Sequence, residues 1–309
     1  MRLPQRLQKG DKVALITPAS PIKVARLKQA VEIVESLGLK PVWGDKVHKH
    51  YGYLAGTDEQ RLAELLEAFT DPQVKAVFAV RGGYGTLRLL DKIPYRVIRR
   101  NPKIFLGFSD ITGLQMAFLK KASLPSLHVN LASLKHEYTQ DIFRQMVMET
   151  QPVELPFETG FTPKPSVIVP GKARGMLIGG NLSLLVSLIG TGFLPSMRGK
   201  IVFIEEVNEP PYKIDRMLTQ LFLTTDIDKA AGIVLGVFNK CNRENFYEKP
   251  EASLSLKDIF LEKFGNMNVP VIGGFPLGHI DKMSILPLGI KIELDTDRLM
   301  LKMLTPFVK

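Results

Sequence analysis

One cysteine, Cys241, stands in 309 residues, which excludes an internal disulfide framework and any multi-cysteine zinc site. Histidine is scarce as well. His48, His50, His128, His136 and His279 are the five, so chemistry that depends on imidazole has few places to sit. No run approaches the roughly 18 continuous apolar residues of a membrane-spanning helix. Met1 to Asp11 is polar and charged, without the apolar core of a signal peptide. Internal repeats and low-complexity tracts are absent, and so is any long run of one charge. Lys and Arg total 41 against 31 Asp and Glu, a formal +10, but the basic residues are interleaved with acids rather than clustered as in a nucleic-acid footprint. A mildly cationic surface suits a small substrate carrying several carboxylates. The expectation is a cytoplasmic protein that binds neither membrane nor nucleic acid.

What is present is ordinary globular material, 45% hydrophobic and 23% charged, with length enough for two packed cores. Lys12 to Thr17 predicts a buried strand. Ser20-Pro21 predicts a helix N-cap with proline at the first helical position, followed by Val24, Leu27, Val31 and Val34 at helical spacing and a stop at Gly38. Leu39 to Trp43 is a second strand, and His48 and His50 fall in a loop. Thr57 to Gln60 reads as a capping box, ahead of a stripe of Leu62, Leu65, Leu66 and Phe69. Ala76 to Val80 then runs into Arg81-Gly82-Gly83-Tyr84-Gly85, whose glycines let the backbone turn at positive φ and approach a ligand. Alternation of strands and helices to about residue 135 predicts a parallel sheet covered on both faces. Ligands of such sheets sit off the carboxyl ends of the strands.

One stretch organises the first half. Ile104 to Gly107 is strand-like, Ser109-Asp110 follows Phe108, and Ile111, Leu114, Ala117 and Phe118 then have helical spacing. Strand, turn with a hydroxyl at its tip, helix: this arrangement presents a nucleophile and aims helical N–H groups at a reacting centre. The same residues fit a plain serine cap, and the stretch by itself leaves both open. From Pro152 to Pro170 five prolines interrupt any periodicity, which predicts an N-terminal domain over 1–151, a linker over 152–172 and a C-terminal domain over 173–309. In that second half, Ala173 to Ile178, Lys200 to Ile204, Ile233 to Phe238 and Val269 to Ile272 read as strands, and Ile290 to Leu301 as a hairpin around Asp295-Thr296-Asp297. Ile214, Met217, Leu218, Leu221 and Phe222 mark a core-facing helix.

A serine nucleophile needs a base and a group to orient it. His279, in a turn-rich loop after a strand, competes for the base with His128 near the end of another. Glu205, Glu206 and Glu209 compete for the acid, and spacing cannot choose among them. Glu205 and Glu206 adjoin on a strand, so they cannot both aim at one site.

Several blocks together resemble the LD-carboxypeptidase family of serine peptidases: Gly52 to Asp58, Arg81 to Gly85, Gly107 to Thr112, Gly179 to Leu182 with Leu188 to Thr191, Ile204 to Pro210, and Gly278-His279. They keep their order from about residue 12 to 290. The resemblance implies a triad of Ser109 as nucleophile, Glu205 as orienting carboxylate and His279 as general base. It also implies an α/β fold with a flavodoxin-like N-terminal domain, a mixed α/β C-terminal domain with a barrel-like sheet, and homodimers. The implied activity is removal of a terminal D-amino acid, typically D-alanine from a murein tetrapeptide during recycling, without metal or organic cofactor. A sister branch, the microcin-immunity peptidases, cleaves a peptidyl-nucleotide toxin. Around this triad, backbone N–H groups of Asp110 and Gly83 are the expected oxyanion donors. Arg81 is the candidate for the substrate's terminal carboxylate, against a plain surface salt bridge, and Asn181 is a further candidate contact or else a helix cap. Two positions depart from the family's usual pattern. His128-Val129-Asn130 stands where many members have His-Gly-Pro or Ser-Gly-Pro, and Ile178 where a tryptophan often precedes the glycine pair. Both are expected to line the substrate pocket. A rival class, a non-catalytic module binding peptides on the glycine turns, predicts a Ser109 that no fluorophosphonate labels. A cysteine amidotransferase is disfavoured because Cys241 lies in a polar stretch without an elbow.

Overall fold

In the computed structural model, residues 1–157 and 163–309 are described. The first half builds a sheet in the order Lys40–Val42, Lys12–Ile16, Val74–Ala79, Ile104–Gly107, Ser126–His128, with Leu286–Leu288 beyond. The first five strands pair in parallel. Numbered along the chain they run 2-1-3-4-5, the flavodoxin-type order, whose ligand crevice lies where the order reverses, between the first and third strands. The sixth is antiparallel to Ser126–His128 and arrives from the far end of the chain.

The second sheet has eight strands: Glu154–Pro156, Met300–Met303, Lys291–Asp295, Lys172–Asn181, Ile201–Val207, Gly232–Asn239, Val271–Gly273 and Ser166–Val169. The four consecutive strands from Lys172–Asn181 to Val271–Gly273 are parallel, and the flanking pairs are antiparallel. The fold is therefore α/β with two sheets, one mostly parallel. The terminal strands of this second sheet are Glu154–Pro156 and Ser166–Val169, and no ladder among the described residues joins them to carry the expected barrel-like character. Both lie within the stretch 152–172 expected as a linker, whose residues 158–162 fall outside the described residues. The prolines interrupt helix there, but a proline at the end of an edge strand leaves the ladder intact. The hairpin at the end is present, Lys291–Asp295 pairing with Met300–Met303.

Local signals hold where their partners are local. Thr57 and Gln60 form both halves of the capping box at helix Asp58–Thr70. Ser20-Pro21, by contrast, does not open a helix. Helix Val24–Ser36 starts later with Lys23 as an uncapped N-cap, and the Ser20 hydroxyl accepts from the Tyr84 N–H instead. Its buried face is Leu27, Ala30, Ile33 and Val34, while Val24 is 73% exposed in the first turn.

Helix Asp58–Thr70 is likewise rotated from its apolar stripe, burying Arg61 and Glu64 beside Leu65 and Phe69. Arg61 donates to Pro18 O and Gly85 O, tying two loops of the crevice together. Glu64 accepts from the Thr17 N–H and hydroxyl, and burial pushes its carboxyl up from 4.5 to about 7. The folded state thus holds this proton more tightly than the unfolded chain. Its contribution to stability is complete below the unfolded value and is lost as pH rises through about 7. Glu64→Gln keeps an acceptor for Thr17 without the titration. Urea unfolding from pH 4.5 to 7.5 is expected to show a pH-dependent loss smaller than wild type's by about 3 kcal/mol.

Candidate active site

Ser109 sits where strand Ile104–Gly107 meets the short 3₁₀ turn Ser109–Ile111 that leads into helix Thr112–Ala122. Its φ is +62°, a left-handed conformation that costs a non-glycine residue about 1–3 kcal/mol and recurs at functional turns. The turn is tight enough that a Cβ on Gly107 would lie 2.3 Å from Ile111 Cγ2. Ser109 caps neither helical segment with its side chain. Its Oγ faces His279 Nε2 at 3.1 Å, and His279 Nδ1 faces Glu205 Oε2 at 2.9 Å.

The choice among acids is made by the sheet. Glu205, wholly buried on strand Ile201–Val207, points to the imidazole. Its neighbour Glu206 points away and accepts from Asn181 Nδ2, the Ser183 N–H and hydroxyl, and the Val207 N–H. Burial, opposed by these bonds, raises the Glu206 carboxyl above its ordinary value. Glu209 pairs with Lys213. The choice between imidazoles is equally clear. His128 is fully buried with Nδ1 on Gln115 Oε1 at 2.8 Å, and burial, with the charge of His279 acting in the same sense, drives it down to about 3. It is a neutral packing group behind Phe108, whose ring lies 4.9 Å from His128 and 4.7 Å from His279. Asn239 Nδ2 donates to His279 O at 2.6 Å and holds the loop.

The glycine turn closes the site from the other side. A Cβ on Gly82 would meet Phe108 O at 2.7 Å, Ser109 Cβ at 2.9 Å and Asp110 N at 3.0 Å, so only glycine lets the two loops approach this closely. Asp110 is buried, with its carboxylate accepting from the Thr86 N–H and its carbonyl from the Thr86 hydroxyl. Its side chain and carbonyl thus lock the two loops together. Arg26, Arg81, Gly82, Gly83, Ser109 and His279 line a cavity of about 290 Å³. Larger cavities, of about 720, 680 and 340 Å³, lie beside Trp43, beside Phe260 and beside Leu188. None of these has a hydroxyl aligned with an imidazole and a carboxylate.

Residues 13–129 match the LD-carboxypeptidase N-terminal domain, and residues 174–294 match the LD-carboxypeptidase C-terminal domain. The chain belongs to the LD-carboxypeptidase family. It is 40% identical to a probable murein peptide carboxypeptidase of Bacillus subtilis, over 95% of this chain and 91% of that one. It is 34% identical to the murein tetrapeptide carboxypeptidase of Pseudomonas aeruginosa, over 93% and 94%. Among solved structures, the microcin C7 self-immunity protein MccF superposes with a TM-score of 0.86 at 25% identity, covering all of both chains. Membership makes this protein a serine-type carboxypeptidase.

The remaining candidates divide. Arg81 is half-buried at the cavity and, rather than pairing with an acid, donates to Pro21 O at 3.4 Å. Asn181 does not reach the cavity. It is 3% exposed, its Oδ1 caps helix Leu182–Ser187 through the Leu184 N–H, and its Nδ2 is held by Glu206. Of the two departures from the family pattern, Asn130 lines the cavity, whereas Ile178 is fully buried in the core. Cys241 is buried, and burial pushes its thiol up to about 12, which leaves it inert as a nucleophile. Among the described residues, no group of three His, Cys, Asp or Glu side chains could hold a metal ion. No helix of the described residues is long and apolar enough to cross a membrane. Sequence reasoning missed Asn239, Thr86 and Arg26, since each acts through a contact with a distant segment and none belongs to a spacing pattern.

Proposed function

We propose that this carboxypeptidase removes the terminal D-alanine from a murein tetrapeptide, with Ser109, His279 and Glu205 as its catalytic triad. The observation that carries the reading is the unbroken hydrogen-bond chain Ser109–His279–Glu205 at the wall of a small cationic cavity. Ser109 Oγ attacks the scissile carbonyl while His279 Nε2 takes its proton. Glu205 holds the Nδ1–H and stabilises the imidazolium. The tetrahedral oxyanion accepts from the N–H groups of Asp110 and Gly83, and losing one such donor costs about 10²–10³ in turnover. The imidazolium returns its proton to the leaving amine, D-alanine departs, and water attacks the acyl-enzyme by the same base. Arg81 receives the carboxylate of the departing residue. We place the enzyme in the cytoplasm, as a homodimer, in the recycling of murein peptides, in keeping with the family resemblance.

A peptidyl-nucleotide substrate is the second reading, because the fold matches the microcin self-immunity protein so closely. Against it, the cavity is at the small end for ligand pockets, and its charged lining is supplied by guanidinium groups. Parallel assays decide. Wild type is expected to release D-alanine from the tetrapeptide far faster than it cleaves a peptidyl-nucleotide, and a fluorophosphonate is expected to label Ser109. The opposite preference would transfer the assignment to nucleotide-linked peptides, and an unlabelled Ser109 would remove the nucleophile from the scheme.

A further inference from the structure

Arg26 stands one turn into the exposed end of helix Val24–Ser36, off the face that packs on the sheet. The residue is partly buried rather than fully exposed. It turns back toward the crevice, where Nε donates to Val80 O at 3.4 Å. The next residue in that loop is Arg81, whose own guanidinium donates to Pro21 O at 3.4 Å. Each arginine is thus steadied by one long bond to a backbone carbonyl, which leaves most of its five N–H donors unspent. Both line the same 290 Å³ cavity as Ser109 and His279.

Neither guanidinium has an ion-pair partner among the described residues. Elsewhere the fold supplies one: Arg61 and Arg88 converge on Asp58, and Arg174 pairs with Glu293. Burial, and then the charge of Arg81, hold the Arg26 guanidinium below its ordinary value. Two like charges drawn together, half out of water and without a counter-ion, are unfavourable alone and become favourable around an anion. A carboxylate matches the planar fork of a guanidinium.

We propose that Arg26 and Arg81 form a two-guanidinium clamp for the terminal carboxylate of the substrate, and that Arg26 makes the enzyme an exopeptidase that rejects substrates with a masked C-terminus. The inference rests on the peptidase reading and extends it from one arginine to a pair. Ser109, His279 and both arginines line this one cavity of about 290 Å³. With the terminal carboxylate held by the pair, a space of that size suits a single residue beyond the scissile bond at Ser109.

The test compares the murein tetrapeptide ending in D-alanine with the same peptide ending in D-alaninamide, for wild type, Arg26→Gln and Arg26→Lys. Fluorophosphonate labelling of Ser109 reports on the nucleophile throughout. Wild type is expected to prefer the free acid by on the order of 10²–10³ in kcat/KM, the scale for a buried charge pair. Arg26→Gln is expected to lose most of that preference, chiefly through KM on the acid, with the amide changed less than about threefold and the labelling rate unchanged. Arg26→Lys is expected to recover part of it. If the acid and the amide fall together in Arg26→Gln, the residue only supports its helix and the clamp is wrong. If Arg26→Gln keeps the full preference for the acid, the clamp is wrong and the peptidase reading stands. If wild type labels at Ser109 but cleaves neither peptide, the peptidase reading itself fails, and the clamp with it.

Discussion

Ser109→Ala is expected to release no measurable D-alanine from a murein tetrapeptide, a loss on the order of 10⁶ in turnover. The size follows from what the hydroxyl supplies. In the proposed mechanism it is the atom that forms the acyl-enzyme, and the nearest alternatives do not replace it: Cys241 is inert and buried, and Ser20 is committed to the Tyr84 N–H. The variant should fold, because Ser109 lies in the cleft and its Oγ contact with His279 can be replaced by water. A companion variant separates chemistry from strain. With φ at +62°, Ser109→Gly relieves a conformation that alanine must still bear, so it is expected to unfold at higher urea than Ser109→Ala, by about 1 kcal/mol. Both should be equally inactive. Activity above a thousandth of wild type in either would end the assignment of Ser109 as nucleophile.

Glu205→Gln carries the second largest effect, about 10⁴ in kcat. In the proposed mechanism the carboxylate accepts from His279 Nδ1 and thereby fixes the tautomer in which Nε2 is free to take the serine's proton. A glutamine amide can present its NH₂ to Nδ1, which places the ring proton on Nε2 and removes the base. It also leaves the imidazolium of the transition state without its negative partner. Fluorophosphonate labelling of Ser109 should slow in parallel, since the same base activates the serine. Glu206→Gln is the control for a neighbouring carboxylate. Its partners are Asn181, Ser183 and Val207, so it is expected to cost stability and far less turnover. Equal turnover losses in the two variants would show that the strand aims both acids at the chemistry, against the alternation of side chains along it.

Much of this architecture is written in local pattern. The capping box at Thr57, the glycine that ends strand Ile104–Gly107 and the closing hairpin each depend on residues within a few positions of one another. The turn that carries Ser109 was legible for the same reason, since Gly107 and Ser109 lie within it. Errors appear where a helix meets a surface chosen by the rest of the fold. Val24 continues the apolar spacing of its helix but overhangs the sheet, and Arg61 and Glu64 occupy the buried side of theirs because two crevice loops need donors and acceptors there. Strand Leu286–Leu288 joins the first sheet across a gap of more than a hundred residues, and no periodicity announces a partner so distant.

The residue types of the site were thus present in sequence order: a serine on a turn, glycines beside it, acids at a strand's end, few histidines to choose from. Which of them meet was settled only by folding. His279 and Ser109 are 170 positions apart, and His279 and Glu205 are 74 apart. Helical and strand periods of 3.6 and 2 residues carry no information over such separations. Burial silenced His128, the strand's alternation turned Glu206 away, and loop packing brought Arg26 and Arg81 to one cavity. A side chain's charge and reach depend on what packs around it, and that is a property of the assembled chain.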